Sequence, residues 1–167
     1  GCALFNEKAI VHRRSLPTPK KWLARHLATL LPAALAKRTT AVIVSSVVPA
    51  VDRALASRIR VELGLRALFL DNRTPTGIGL KIDRPCEIGA DRIADCAGAL
   101  TLYSPPLIVV DSGTATTFDL VNARGDYCGG CILPGIGLAI NSLAENTAKL
   151  KRIAFAVPRS PVGTNTA

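Results

Sequence analysis

Leu107-Ile108-Val109-Val110 is a continuous run of branched apolar residues that ends on Asp111. A run of this kind predicts a strand buried on both faces, and an earlier one, Ala41-Val42-Ile43-Val44, predicts a second. Between the two lie helical patterns over about 50–63 and 90–102, the latter with Ile93, Ala97 and Leu100 inward, and a short strand over 67–70. Strands alternating with helices specify an α/β layered fold. The rest of the chain is consistent with it. Residues 2–5 and 9–12 predict a hairpin, and Thr18-Pro19 opens a helix carrying Leu23, Leu27, Leu30 and Leu31 that Pro32 interrupts. Residues 115–121 and 127–133 predict two further strands joined by a turn at 122–126. A helix over 137–146 and a loop-rich tail from Val157 follow.

The composition excludes several classes. Apolar residues make up 49% and charged residues 20%, a globular mixture with no repeat and no low-complexity tract. The longest uncharged run, between Asp126 and Glu145, is broken by glycines and Pro134, so no bilayer span is expected. No charged segment followed by an apolar run opens the chain, and five cysteines read as free thiols in a cytoplasmic protein. The net charge of +9 sits entirely in residues 1–73, which hold 13 Lys/Arg against 4 Asp/Glu. Nucleic acid is not expected as a partner, because the aromatic side chains used for base stacking are scarce in this half. The chain contains no methionine, which points to a removed initiator or to a piece of a longer chain.

Three segments carry chemistry. In Asp111-Ser112-Gly113-Thr114, an Asp at a strand end projects from the sheet edge. Gly113 opens the backbone to a phosphate, Thr114 adds a hydroxyl donor, and Asp111 offers a carboxylate to a cation. The other reading of the same residues is an ordinary capped hairpin turn. In Glu87-Ile88-Gly89-Ala90-Asp91-Arg92, an acid and a base stand together in the first turn of a helix. The helix dipole keeps such a carboxylate ionised and able to accept a proton, and Arg92 offers a fork for an anion. Helix capping alone also explains an Asp there. In Gly129-Gly130-Cys131-Ile132-Leu133-Pro134-Gly135, glycines point to close backbone packing or a ligand. The enclosed Cys128-Gly129-Gly130-Cys131 reads as small buried cysteines rather than a zinc or redox pair. His12 and His26 have no nucleophilic partner at a recognisable spacing.

Together with Ser45-Ser46-Val47-Val48-Pro49, Thr147-Ala148-Lys149-Leu150 and Val162-Gly163-Thr164-Asn165-Thr166, these segments resemble, in one order, the type III pantothenate kinases of the acetate-kinase/sugar-kinase/Hsp70/actin superfamily. The resemblance implies duplicated ribonuclease H-like domains, here 1–103 and a truncated 104–167. It implies ATP-dependent phosphorylation of pantothenate, the first step of coenzyme A synthesis, by a cytoplasmic homodimer. Asp91 matches the proton acceptor. Gly89, Ala90, Arg92 and Thr166 match pantothenate contacts. Asp111 matches the ligand of an activating monovalent cation (potassium or ammonium), and Gly113 and Thr114 lie in the ATP-phosphate motif; magnesium accompanies ATP. The family's first strand, ending in Asp-x-Gly-Asn-Thr, and its last helices and strands have no counterpart here, so the resemblance implies a chain incomplete at both ends. A non-catalytic regulatory or nucleic-acid-associated protein on the same fold, which the basic first half would suit, or another small-molecule phosphotransferase of the superfamily, are the alternative readings.

Overall fold

The structure, a computed structural model, describes residues 2–6, 9–15, 24–151, 153, 160 and 162. The chain divides into two compact units, residues 1–74 with 86–94, and residues 75–85 with 95–167.

The first unit opens with strands β1 (Cys2–Asn6) and β2 (Ala9–Arg14), an antiparallel hairpin whose register shifts between Leu4 and Phe5. Helices α1 (Ala24–Leu30) and α2 (Ala33–Ala36) follow, divided at Pro32 as the sequence predicts. The start of the expected helix, at Thr18-Pro19 and Leu23, lies outside the described residues. The His12 ring Nε2 lies 3.1 Å from the Leu30 carbonyl oxygen, tying the hairpin to the end of α1. Strand β3 (Val42–Val44), helix α3 (Pro49–Leu63) and strand β4 (Ala67–Phe69) form a βαβ unit with parallel strands. Pro49 occupies the first turn of α3, where its missing N–H costs nothing, and Gly64 closes the helix at φ 68°, a conformation that favours glycine. Leu30, Leu31, Ile59, Leu70, Ala90 and Ile93 are buried in this unit.

Helix α4 (Ala90–Leu102) begins in the first unit and ends in the second. Its inward positions include Ile93 and the fully buried Cys96, with Ala97 and Leu100 half-buried beside them at helical spacing. In the second unit, β5 (Leu107–Ser112), β6 (Ala115–Val121) and β7 (Tyr127–Pro134) form an antiparallel meander, followed by helix α5 (Ile136–Asn146). Tyr127 binds the segment before α4 on both sides of its peptide unit. Its N–H donates to Gly79 O at 2.8 Å, and its carbonyl accepts from Lys81 N–H at 2.8 Å. Its hydroxyl donates to Asp119 Oδ1 at 2.9 Å, so a buried carboxylate is held at the centre of β6.

Two expectations are corrected. The branched runs are not buried on both faces: Ile43 is 65% exposed and Ile108 64%, while Val42, Val44, Leu107 and Val109 are half-buried. Alternate side chains of a strand point to opposite faces, and no described element covers the second face of either sheet at these positions. Cys131 is exposed rather than buried, because β7 is an edge strand with residues 130–134 open; Cys128 is half-buried. Both thiols are free, and Asn122 Nδ2 donates to Cys128 Sγ at 3.2 Å.

Candidate active site

In the first unit a cleft of about 420 Å³ opens between segments 46–49, 70–72 and 86–90. Its first wall is the turn between β3 and α3. Ser46 Oγ accepts the Val48 N–H at 3.2 Å and donates to Asp52 Oδ1 at 2.5 Å, which fixes the chain before the first turn of α3. Its second wall follows β4. Leu70 N–H continues the parallel pairing by donating to Val44 O at 2.8 Å, and Asp71 then opens a hydrogen-bonded turn. Asp71 Oδ1 accepts from Arg73 N–H at 2.9 Å, from Thr74 N–H at 3.0 Å and from the Thr74 hydroxyl at 3.0 Å. These bonds, the backbone donation of Arg73 first, hold the Asp71 carboxyl below the ordinary aspartate range.

The third wall, a single 3₁₀ turn (Pro85–Glu87) leading through Gly89 into α4, contains the acid–base segment predicted from the sequence. Gly89 and Ala90 line the cleft, and Asp91 follows them in the first turn of α4 with its carboxylate exposed. Its Oδ1 accepts the Arg92 N–H at 2.8 Å and also occupies the space that a Cβ on Gly89 would take. A side chain at 89 would therefore displace the Asp91 carboxylate from its position over the helix start. Arg92 is half-buried and engaged with its surroundings.

In the second unit, Asp111 and Ser112 end β5, and Gly113-Thr114 forms the tip of the β5–β6 hairpin; all four residues are exposed. Asp111 makes no hydrogen bond or ion pair to another described side chain. Gly113 does not adopt the left-handed conformation, and a Cβ there would meet only Ala115 O at 3.9 Å. Its turn does not demand glycine for backbone reasons; the missing side chain leaves bare backbone at the tip. Gly135 is different. Its N–H donates to Thr114 O at 2.9 Å, and a Cβ on it would collide with the carbonyl oxygens of Gly113 and Thr114. Glycine at 135 thus brings the N-terminus of α5, with its unpaired first-turn N–H groups, against the Gly113–Thr114 tip. The Gly113 N–H donates to Ala115 O at 2.8 Å, so the donors this region offers an anion are those of Thr114 and of the first turn of α5, and Asp111 stands close in sequence to them.

The remaining predicted contact, Thr166, lies outside the described residues. Among the described residues no three His, Cys, Asp or Glu side chains gather as a metal cage. A single carboxylate at Asp111 suits a hard, weakly held cation with oxygen ligands rather than a structural metal. Sequence reasoning missed the Asp71–Thr74 turn and the Ser46–Asp52 link as walls of a cleft. An Asp three residues before a Thr is the signature of a side-chain-capped turn, but only the fold brings that turn to the same cleft as Gly89. No helix among the described residues is long and apolar enough to cross a membrane.

Comparison with known proteins identifies a family. The family model described as type III pantothenate kinase matches residues 1–167. The chain is similar to a type III pantothenate kinase of Koribacter versatilis, 45% identical over 125 residues, which are 75% of this chain and 46% of the relative. It is also similar to those of Myxococcus xanthus, 42% identical over 77% of this chain and 50% of the relative, and Moorella thermoacetica, 41% identical over 78% and 51%. The chain spans about half the length of the curated relatives it matches.

Proposed function

This chain belongs to the type III pantothenate kinase family, and on that premise we propose that it carries the acceptor site of an ATP-dependent pantothenate kinase, making 4'-phosphopantothenate in the first step of coenzyme A synthesis. The observation that carries the reading is the placement of Asp91 directly after two cleft-lining residues, with its carboxylate folded over Gly89. Pantothenate occupies the cleft with its primary hydroxyl toward Asp91, and Gly89, Ala90 and Arg92 position it. Asp91 accepts the hydroxyl proton as that oxygen attacks the γ-phosphorus. The new P–O bond forms while the bond to the bridging oxygen of ADP breaks. Such a transfer needs positioning and charge stabilisation more than covalent chemistry.

The Gly113–Thr114 tip and the N-terminus of α5 supply N–H and hydroxyl donors for ATP phosphate oxygens. Asp111 would hold a monovalent cation, potassium or ammonium, which supplies positive charge against the phosphates; magnesium arrives with ATP. Two ribonuclease H-like halves, 1–103 and 104–167, a cytoplasmic homodimer and a contact from Thr166 complete the reading. The family membership and the paired sites support catalysis over a regulatory role.

The test is ATP- and pantothenate-dependent ADP release by the natural polypeptide containing this sequence, at full length. Asp91→Asn keeps the fold and the Arg92 N–H contact but removes the proton acceptor. Turnover is expected to fall by about 10²–10⁴-fold; turnover within twofold of the parent would remove Asp91 from this role.

A further inference from the structure

The cleft contains a polar side chain that neither the fold nor the assigned chemistry uses. Asn72 lines it and is half-buried, and its carboxamide makes no hydrogen bond to another described residue. A primary amide carries two donors and one acceptor oxygen, and partial burial without a partner is unfavourable unless water or a ligand supplies one. Two other polar groups of the wall are engaged locally, while the Cys86 thiol is free and exposed. Ser46 spends its proton on Asp52 and accepts from Val48, and Asp71 Oδ1 is used three times inside its own turn. Those same bonds hold the backbone on both sides of Asn72, because Thr74 N–H also closes the turn on Asp71 O at 3.2 Å. Asn72 is therefore an open hydrogen-bonding group on a rigid support, which is how specific ligand contacts are built.

The rest of the wall limits what such a ligand group is. Val47, Pro49, Leu70 and Ile88 are apolar, no Lys or Arg lines the cleft, and the Asp71 carboxylate stands beside Asn72. An anionic group placed there would meet the Asp71 carboxylate, and it would find no cation among the residues that line the cleft. A neutral amide flanked by methyl groups matches both the open carboxamide and its apolar neighbours.

Resting on the pantothenate reading, we propose that Asn72 determines acceptor specificity by hydrogen-bonding the central amide of pantothenate. The gem-dimethyl carbon then packs on the apolar wall between Asn72 and the Asp91 end. The substrate carboxylate is directed away from Asp71, so one orientation is selected and the primary hydroxyl is presented to Asp91.

The experiment is steady-state kinetics on the natural polypeptide containing this sequence, comparing the parent with Asn72→Leu and Asn72→Gln. The substrates are pantothenate and its ester analogue, in which an oxygen replaces the amide N–H. The parent is expected to bind the ester about tenfold more weakly than pantothenate, the equivalent of one lost hydrogen bond. Asn72→Leu is expected to raise the pantothenate KM by about tenfold or more, with kcat and the ATP KM within twofold, and to lose the discrimination between amide and ester. Asn72→Gln is expected to recover part of it. A pantothenate KM within twofold of the parent in Asn72→Leu, or an equal loss for both substrates, would overturn the assignment while leaving the kinase reading standing. Absence of any pantothenate turnover in the parent would overturn the kinase reading and this assignment with it.

Discussion

Substitution of Gly135 by Ala tests whether the contact between α5 and the hairpin tip is as tight as the backbone indicates. An added Cβ would overlap the Gly113 carbonyl oxygen and would sit 2.5 Å from Thr114 O and 2.8 Å from Thr114 C. All three are backbone atoms, so no side chain can rotate away. Opening the Thr114 O contact from 2.5 Å to about 3.0 Å, near the closest approach real Cβ atoms show, moves one backbone past the other by about 0.5 Å, and relieving the tighter Gly113 O contact requires more. The Gly135 N–H to Thr114 O bond, now 2.9 Å, is then stretched towards about 3.4 Å, where it contributes little. Overpacking of this kind costs about 1–3 kcal/mol and the weakened bond about 1 more. A total of about 2–4 kcal/mol is a large part of a typical domain's stability. Urea unfolding followed by circular dichroism measures it, with Gly137→Ala as the control. No atom lies within 4 Å of a Cβ at 137, so that variant is expected to be neutral or to gain up to about 1 kcal/mol. If Gly135→Ala unfolds within about 0.5 kcal/mol of the parent, the close approach does not hold the two elements together. On the proposed reading, the same variant also raises the KM for ATP.

Removing the hydroxyl in Tyr127→Phe takes one donor from the buried Asp119 carboxylate, and a loss of about 1–3 kcal/mol is expected in the same unfolding assay; an unchanged midpoint would refute that role. The Asp71 carboxyl, held low by its turn, favours the folded turn above the ordinary aspartate range and loses that contribution only as pH falls through its lowered pKa. Carboxyl NMR titration should therefore show Asp71 ionised to lower pH than a free aspartate, and a midpoint at the ordinary value would contradict the turn. Ser46→Ala severs the link from Val48 N–H to Asp52 and is expected to cost about 1 kcal/mol and to raise the pantothenate KM; an effect on neither would separate the Ser46 link from the cleft.

Much of the fold was readable along the chain because its signals are local. Pro49 and Pro32 mark helix boundaries through their missing N–H, and the branched runs at 42–44 and 107–110 report strands through side-chain shape. The acid–base pair at Asp91-Arg92 and the Asp111-Ser112-Gly113-Thr114 turn were legible for the same reason: each is formed by residues adjacent in sequence. What covers a strand is not local. Ile43 and Ile108 have the composition of doubly buried positions, yet their exposure depends on which elements lie over each sheet face.

The same division holds within the two candidate sites. Residue type and order by themselves determined an Asp-x-Gly-Thr turn at a strand end, an acid at a helix start and the family to which the chain belongs. Tertiary structure decided that the glycine with no tolerance for a side chain is Gly135 rather than Gly113, because steric contact is set by atoms 20 or more residues apart. It also decided that the Asp71–Thr74 turn lines the same cleft as Gly89. A hydrogen bond left open at Asn72 cannot be read from sequence, since any Asn has the same donors and acceptor until the fold determines which of them are used.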